Sequence, residues 1–115
     1  MRENCLIIAE AGVNHNGRLD LALQLCDAAK ESGADVVKFQ TWKTENLITR
    51  NLEQAEYQVL NSGKRESQFD MLKKLELSYD NFRTIKRHCD EIGISFSSTA
   101  DESESLDFLV ELGIP

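Results

Sequence analysis

Three apolar runs in this chain stop at residues able to do chemistry: Glu10 closes Ile7-Ile8-Ala9, Lys38 and Gln40 punctuate Val36-Val37-Lys38-Phe39-Gln40-Thr41, and Ser97, Ser98 and Thr99 follow Ile94-Ser95-Phe96. A buried parallel strand reads this way when its body is covered on both faces and its carboxyl end opens into a site. α/β barrels and open α/β sheets place their chemistry at such strand ends. A carboxylate, an ammonium with an amide, and a set of hydroxyls at three successive strand ends mark the chain as part of an enzyme.

Side chains alternate faces along a strand, so Lys38 and Gln40 share the face of Val36, and Glu10 shares that of Ile8. In a barrel all three can point into its mouth. A lysine at a strand end commonly snorkels to solvent. Val36, Val37 and Phe39 enclose this one, however, and a charged amine so enclosed costs several kcal/mol unless it is paired with an anion or deprotonated. A phosphate or carboxylate ligand would answer that need, and so would Schiff-base chemistry. Glu10 is either the ion-pair partner of Lys38 or a general base and water-positioning group, and spacing alone favours neither. Ser97, Ser98 and Thr99 could donate hydroxyls to a phosphate ahead of the next helix, or cap it. His15, in the turn Asn14-His15-Asn16-Gly17, lacks a second ligand at defined spacing and reads as loop scaffolding rather than a metal ligand. His88 beside Arg87 reads as a surface residue.

The elements that must position these groups are βα repeats. Glu31-Ser32-Gly33, Glu91-Ile92-Gly93 and Glu111-Leu112-Gly113 each close a helical pattern and lead into an apolar stretch. Leu19, Ala22, Leu23, Cys26, Ala29 and Lys30 follow helical spacing behind the Asn16-Gly17 turn, with Asp20 in the first turn. Phe82, Ile85, Cys89 and Ile92 make a second stripe, capped by Ser78 with Asp80 behind it. A third helix follows Asp101, where Asp101-Glu102-Ser103-Glu104 has capping-box spacing and Leu106, Leu109, Val110 and Leu112 supply the buried face. The connection from Trp42 to about Glu66 is long enough for a substrate-covering loop, with a short helix over Glu53 to Leu60 ending at Asn61-Ser62-Gly63. Ser67 to Leu77 reads as one more helical piece, with Phe69, Leu72 and Leu75 or Glu76 in period.

Composition bounds the class. With 115 residues the chain is one domain at most, and an eight-unit barrel needs roughly twice that length. Hydrophobic content of 41% with 29% charged residues suits a globular domain. A net charge of −7 argues against nucleic acid or an anionic membrane as partner. Cys5, Cys26 and Cys89 form no Cys-x-x-Cys pair and read as buried apolar thiols in a reducing compartment. The apolar run from Cys5 to Ala9 is too short for a signal peptide or membrane span, so the protein is expected to be cytoplasmic. Gly113-Ile114-Pro115 opens toward another strand, and the reading is of a truncated α/β fold: a partial TIM (β/α) barrel of about the first three βα units.

Taken together, Ile7 to Gly17, Ser32 to Thr41, Ala55-Glu56-Tyr57-Gln58 and Leu109 to Pro115 resemble the opening half of bacterial sialic acid (N-acetylneuraminate) synthases, in order and across essentially the whole chain. The resemblance implies residues 1–115 of a TIM barrel that condenses phosphoenolpyruvate with N-acetylmannosamine or a related amino sugar. Legionaminic, pseudaminic and phosphorylated-sugar versions are alternatives. It makes Glu10 the catalytic glutamate near the reacting carbons, Lys38 a phosphoenolpyruvate-binding lysine, Gln40 its neighbour and Thr99 a hydroxyl on the phosphoenolpyruvate side. It also implies a divalent metal, Mn or Mg, a homodimer in the full-length protein, and a C-terminal antifreeze-like domain. The metal ligands, a second phosphate-binding lysine and that domain are expected beyond Pro115, so the chain alone is expected to be inert and, with open sheet edges, prone to associate. Ala100 stands where the family commonly has proline, which softens that turn. Outside the family, a pyruvate lyase with Lys38 as Schiff-base nucleophile and a non-catalytic fragment are the competing readings.

Overall fold

The period-two pattern of Val36–Thr41 determines the architecture: Val37, Phe39 and Thr41 are fully buried, whereas Val36, Lys38 and Gln40 on the opposite face are only partly covered. The computed structural model describes residues 5–48 and 68–114. Within them β1 (Ile8–Gly12), β2 (Val36–Thr41) and β3 (Ser95–Ala100) form a parallel sheet in the order β1-β2-β3. α1 (Leu19–Glu31) connects β1 to β2. α2 (Thr44–Leu47), α3 (Gln68–Leu75) and α4 (Tyr79–Ile92) lie between β2 and β3, and α5 (Ser103–Leu112) follows. This is the partial parallel α/β barrel expected from the repeats.

One face of the sheet makes the core. Val37, Phe39 and Phe96 pack with Ala22, Cys26 and Ala29 of α1 and with Phe82, Ile85 and Cys89 of α4. Phe39 is central, its ring 6.4 Å edge-on from Phe82 and 5.9 Å from Phe96. The strand bodies are not covered on both faces as their composition suggests. Ile7 and Ile8 are 53% and 51% exposed, because among the described residues no layer packs on the other side of the sheet.

The helix ends are largely where the sequence puts them. Ser78 Oγ accepts from Asn81 N at 3.0 Å to start α4, and Gly93 and Gly113 end α4 and α5. Several local expectations change. The carboxylate of Glu102, rather than a hydroxyl or Asp101, caps α5, accepting from the Glu104 and Ser105 amides. The buried face of α5 is Ser105, Phe108 and Leu109, while Leu106 and Val110 are 55% and 64% exposed, because the helix is rotated to stack Phe108 on Tyr79 with centroids 4.1 Å apart. His88 is partly exposed, as expected of a surface residue, and also joins the helices, its Nε2 lying 2.7 Å from Asp27 Oδ1 of α1. Cys26 and Cys89 are buried as expected, but Cys5 is exposed, since it precedes β1 where no helix reaches. The helix expected over Glu53 to Leu60 lies outside the described residues. No described helix is long and apolar enough to cross a membrane.

Two glycines separate backbone conformation from packing. Gly33 has φ +90° and Gly17 φ +77°, both left-handed. A Cβ on Gly33 would meet open space, but one on Gly17 would lie 2.0 Å from the backbone oxygen of Lys74. Gly33→Ala is expected to cost about 1–2 kcal/mol from conformation alone. Gly17→Ala adds to that penalty the displacement of α3, and a total of more than about 3 kcal/mol is expected in urea unfolding.

Candidate active site

On the face turned away from the helices, the register aligns the chemistry in rows. Ile8, Val36 and Ser95 pair across the strands, then Glu10, Lys38 and Ser97, then Gln40 and Thr99. Between Glu10 and Gly12 the β1 register shifts, so Ala11 enters the core at 6% exposure while Glu10 stays on the polar face. Gly12, with φ +54°, leaves room for the glutamate: a Cβ there would sit 3.3 Å from Glu10 Oε2. The four residues singled out at the strand ends, Glu10, Lys38, Gln40 and Thr99, therefore occupy one surface.

Lys38 Nζ lies 3.6 Å from Glu10 Oε1, with the two side chains 38% and 54% exposed. That separation exceeds a normal hydrogen bond, and an exposed ion pair of this kind contributes only about 0–1 kcal/mol. Structural pairing therefore holds neither group tightly. The enclosure expected around Lys38 is also absent, because Val37 and Phe39 point to the other face. Glu10 lies beside the ammonium, and Ser97 pairs with Lys38 in the strand register. Ser98 leaves the expected hydroxyl trio, since it faces the helices and its Oγ is 2.6 Å from that of buried Thr41. Ser97, in register with Lys38, and Thr99, in register with Gln40, remain on the polar face.

The turn after β1 braces the site. Asn14 N donates to Ala11 O at 2.9 Å and Arg18 N to His15 O at 3.1 Å. His15 is fully buried, its ring stacked 6.0 Å from Phe39, and Nδ1 accepts from Gly17 N at 2.9 Å. The proton of the neutral ring is thereby assigned to Nε2, which meets no acceptor among the described residues. Burial lowers the pKa of His15, so the imidazole stays neutral in the fold. Scaffolding is its role here, as the turn sequence suggests. Among the described residues no group of three or more His, Cys, Asp or Glu could hold a metal ion.

Two glutamates, placed by the sequence only in local helical patterns, clamp the chain after β2. Glu76 Oε1 accepts from Thr44 N at 2.9 Å and Thr44 Oγ1 at 2.8 Å, and Lys73 bridges Glu76 to Glu45. Glu102 accepts from Lys43 N at 2.9 Å and Asn46 Nδ2 at 3.0 Å while capping α5, and Ser105 Oγ bonds the same carboxylate. Burial pushes the Glu102 carboxyl up, but hydrogen bonds from Ser105, Asn46 and Lys43 outweigh it and hold the pKa below the usual glutamate value. Lys43 Nζ sits 4.3 Å over the Tyr79 ring, which stacks on Phe108. The end of β2 and the start of α5 are thus fastened together beside Gln40 and Thr99. No local pattern reveals these partners, which are 32 and 59 residues apart.

Parallel strands carrying a polar row at their carboxyl ends, with helices packed on one face, define a segment of a (β/α) barrel. The chain belongs to the NeuB family, which matches residues 25–115. It is 51% identical to the N,N'-diacetyllegionaminic acid synthase of Legionella pneumophila over 96% of this chain and 31% of that protein. With human N-acetylneuraminate-9-phosphate synthase the identity is 38%, over 96% of this chain and 31% of the other. Its fold superposes with a TM-score of 0.75 on the N-acetylneuraminic acid synthetase of Leptospira borgpetersenii, crystallised with citrate, at 30% identity over 95% of this chain and 33% of that one. The chain thus spans about a third of the length of these relatives, which are sugar acid synthases.

Two outcomes test the braces. Because the folded-state pKa of His15 lies below its unfolded value of about 6.5, the unfolded chain binds the extra proton, and stability present above that pH falls as pH drops through the folded pKa. Wild-type stability should therefore decline more steeply than that of His15→Gln between pH 7.5 and 5 in thermal melts. Glu102→Ala unpairs the Lys43 amide and the α5 cap together, and a loss of about 1–3 kcal/mol is expected in urea unfolding at pH 7.

Proposed function

We propose that the protein to which this chain belongs condenses phosphoenolpyruvate with N-acetylmannosamine or a related N-acyl amino sugar, giving phosphate and a nine-carbon ulosonic acid. The observation that carries the reading is the single surface holding Glu10, Lys38, Ser97, Gln40 and Thr99 at the ends of three parallel strands. A multiply anionic substrate fits a cation flanked by an amide and two hydroxyls, which stands out in a chain of net charge −7. Membership of a family of sugar acid synthases supports the same reading.

In this reaction the methylene carbon of phosphoenolpyruvate bonds to the sugar aldehyde carbon, whose oxygen takes a proton. Water adds to the cationic carbon left behind, and phosphate departs with its C–O bond. Lys38 neutralises the phosphate or carboxylate, with Gln40 and Thr99 fixing its orientation. Glu10, beside Lys38, orients the water and accepts its proton in this reading. The divalent metal implied by the resemblance finds no ligand cluster among the described residues.

The sugar of N,N'-diacetyllegionaminic acid biosynthesis is the favoured alternative to N-acetylmannosamine, on 51% identity to the Legionella synthase against 38% to the human protein. Phosphate release by the full-length protein, assayed with manganese and each sugar, distinguishes the two. Lys38→Ala is expected to reduce sugar-dependent release by about 100-fold or more, and Glu10→Gln by about 100- to 10,000-fold, with folding retained. Release unaffected by both variants, or a borohydride-trapped pyruvate imine on Lys38, would overturn the assignment.

A further inference from the structure

Cys26 and Cys89 take no part in the strand-end site. They face each other from α1 and α4, both fully buried, with Sγ atoms 3.5 Å apart. That is contact distance; a disulfide needs about 2.0 Å between the sulfurs, with Cβ atoms within about 4.5 Å. The neighbours of Cys26 on the buried stripe of α1 are Ala22 and Ala29, so no bulky side chain props the helices apart there.

The two thiols are chemically unlike. The hydrogen-bonded contact with Cys26 holds the Cys89 thiol below its ordinary pKa, against burial and the Asp90 and Asp27 carboxylates, with Lys86 assisting. The same contact, followed by burial, pushes Cys26 up. Cys89 is therefore the sulfur that ionises first, and nucleophilic attack follows the thiolate. Cys5, exposed ahead of β1, is a separate thiol.

We infer that Cys26 and Cys89 form an oxidation site at which a small hydroperoxide converts the two thiols to a disulfide tying α1 to α4. The Cys89 thiolate attacks a peroxide oxygen, the O–O bond breaks, and a sulfenic acid forms on Cys89 as the leaving oxygen takes a proton to give water. Cys26 sulfur then bonds to Cys89 sulfur, displacing hydroxide, which takes the Cys26 proton as a second water. Two thiols supply the two electrons that reduce one peroxide. Because both sulfurs are covered, a water-sized oxidant is suited to the site and a bulky disulfide is not. The cross-link spans 63 positions of sequence and restricts the unfolded chain, so oxidation should raise the unfolding midpoint.

The test treats the folded Cys5→Ser chain with hydrogen peroxide, beside the wild type as a control for oxidant delivery. Expected are the loss of two hydrogens by intact mass, no alkylatable thiol after denaturation, a cross-linked peptide pair containing Cys26 and Cys89, and a raised urea midpoint reversed by dithiothreitol. Cys26→Ser, lacking the resolving sulfur, should accumulate a dimedone-reactive sulfenic acid at Cys89. The inference is overturned if both thiols remain alkylatable under conditions that oxidise Cys5 in the wild type, if they pass to sulfinic acid without cross-linking, or if the link forms only in the denatured chain.

Discussion

Everything at the candidate site depends on the alternation of side chains along β2 within a parallel register. Phe39 goes one way, into contact with Phe82 and Phe96, and that apolar commitment fixes Lys38 and Gln40 on the other face. A shift by one residue would exchange the two sets, burying an ammonium among aromatic rings and exposing Phe39. The energetic gap between those arrangements is large because burial of a phenyl ring and exposure of a charge favour the same choice. The polar surface is thus positioned by residues that never touch it.

The neighbouring strands inherit this constraint. Pairing of Glu10 and Ser97 with Lys38 follows from register, and the shift at Ala11 lets β1 satisfy the core without turning Glu10 inward. Behind the sheet, buried and neutral His15 supports the turn on which α1 starts, while Gly17 lets that turn approach the backbone of α3. Glu76 and Glu102 do comparable work after β2. Each takes backbone and side-chain donors from the segment after β2, adding charge-assisted hydrogen bonds to the burial of Trp42.

The exposed side of the sheet shows how much of a barrel strand's character depends on its neighbours. Ile7 and Ile8 are apolar by composition yet half exposed among the described residues, and Leu106 and Val110 of α5 are likewise uncovered. These residues read as buried in the sequence because a composition pattern reports the environment of a whole barrel. The chain spans about a third of its relatives, and only part of that environment comes from its own residues.

The sequence by itself determined the βα repeat, the helix ends at Gly33, Gly93 and Gly113, the stripe of α4, and the face shared by Lys38 and Gln40, because periods of 2.0 and 3.6 are properties of each element's own backbone. The same alternation already assigns Ser98 to the side of Phe96, so grouping it with Ser97 and Thr99 set aside a signal that was present. Tertiary structure alone decided that Glu102 holds Lys43, that Glu76 holds Thr44, that His88 reaches Asp27, and that Cys26 meets Cys89. Those contacts depend on the rotation and separation of whole elements about the sheet, which packing against Phe39, Phe82 and Phe108 sets and no local period encodes.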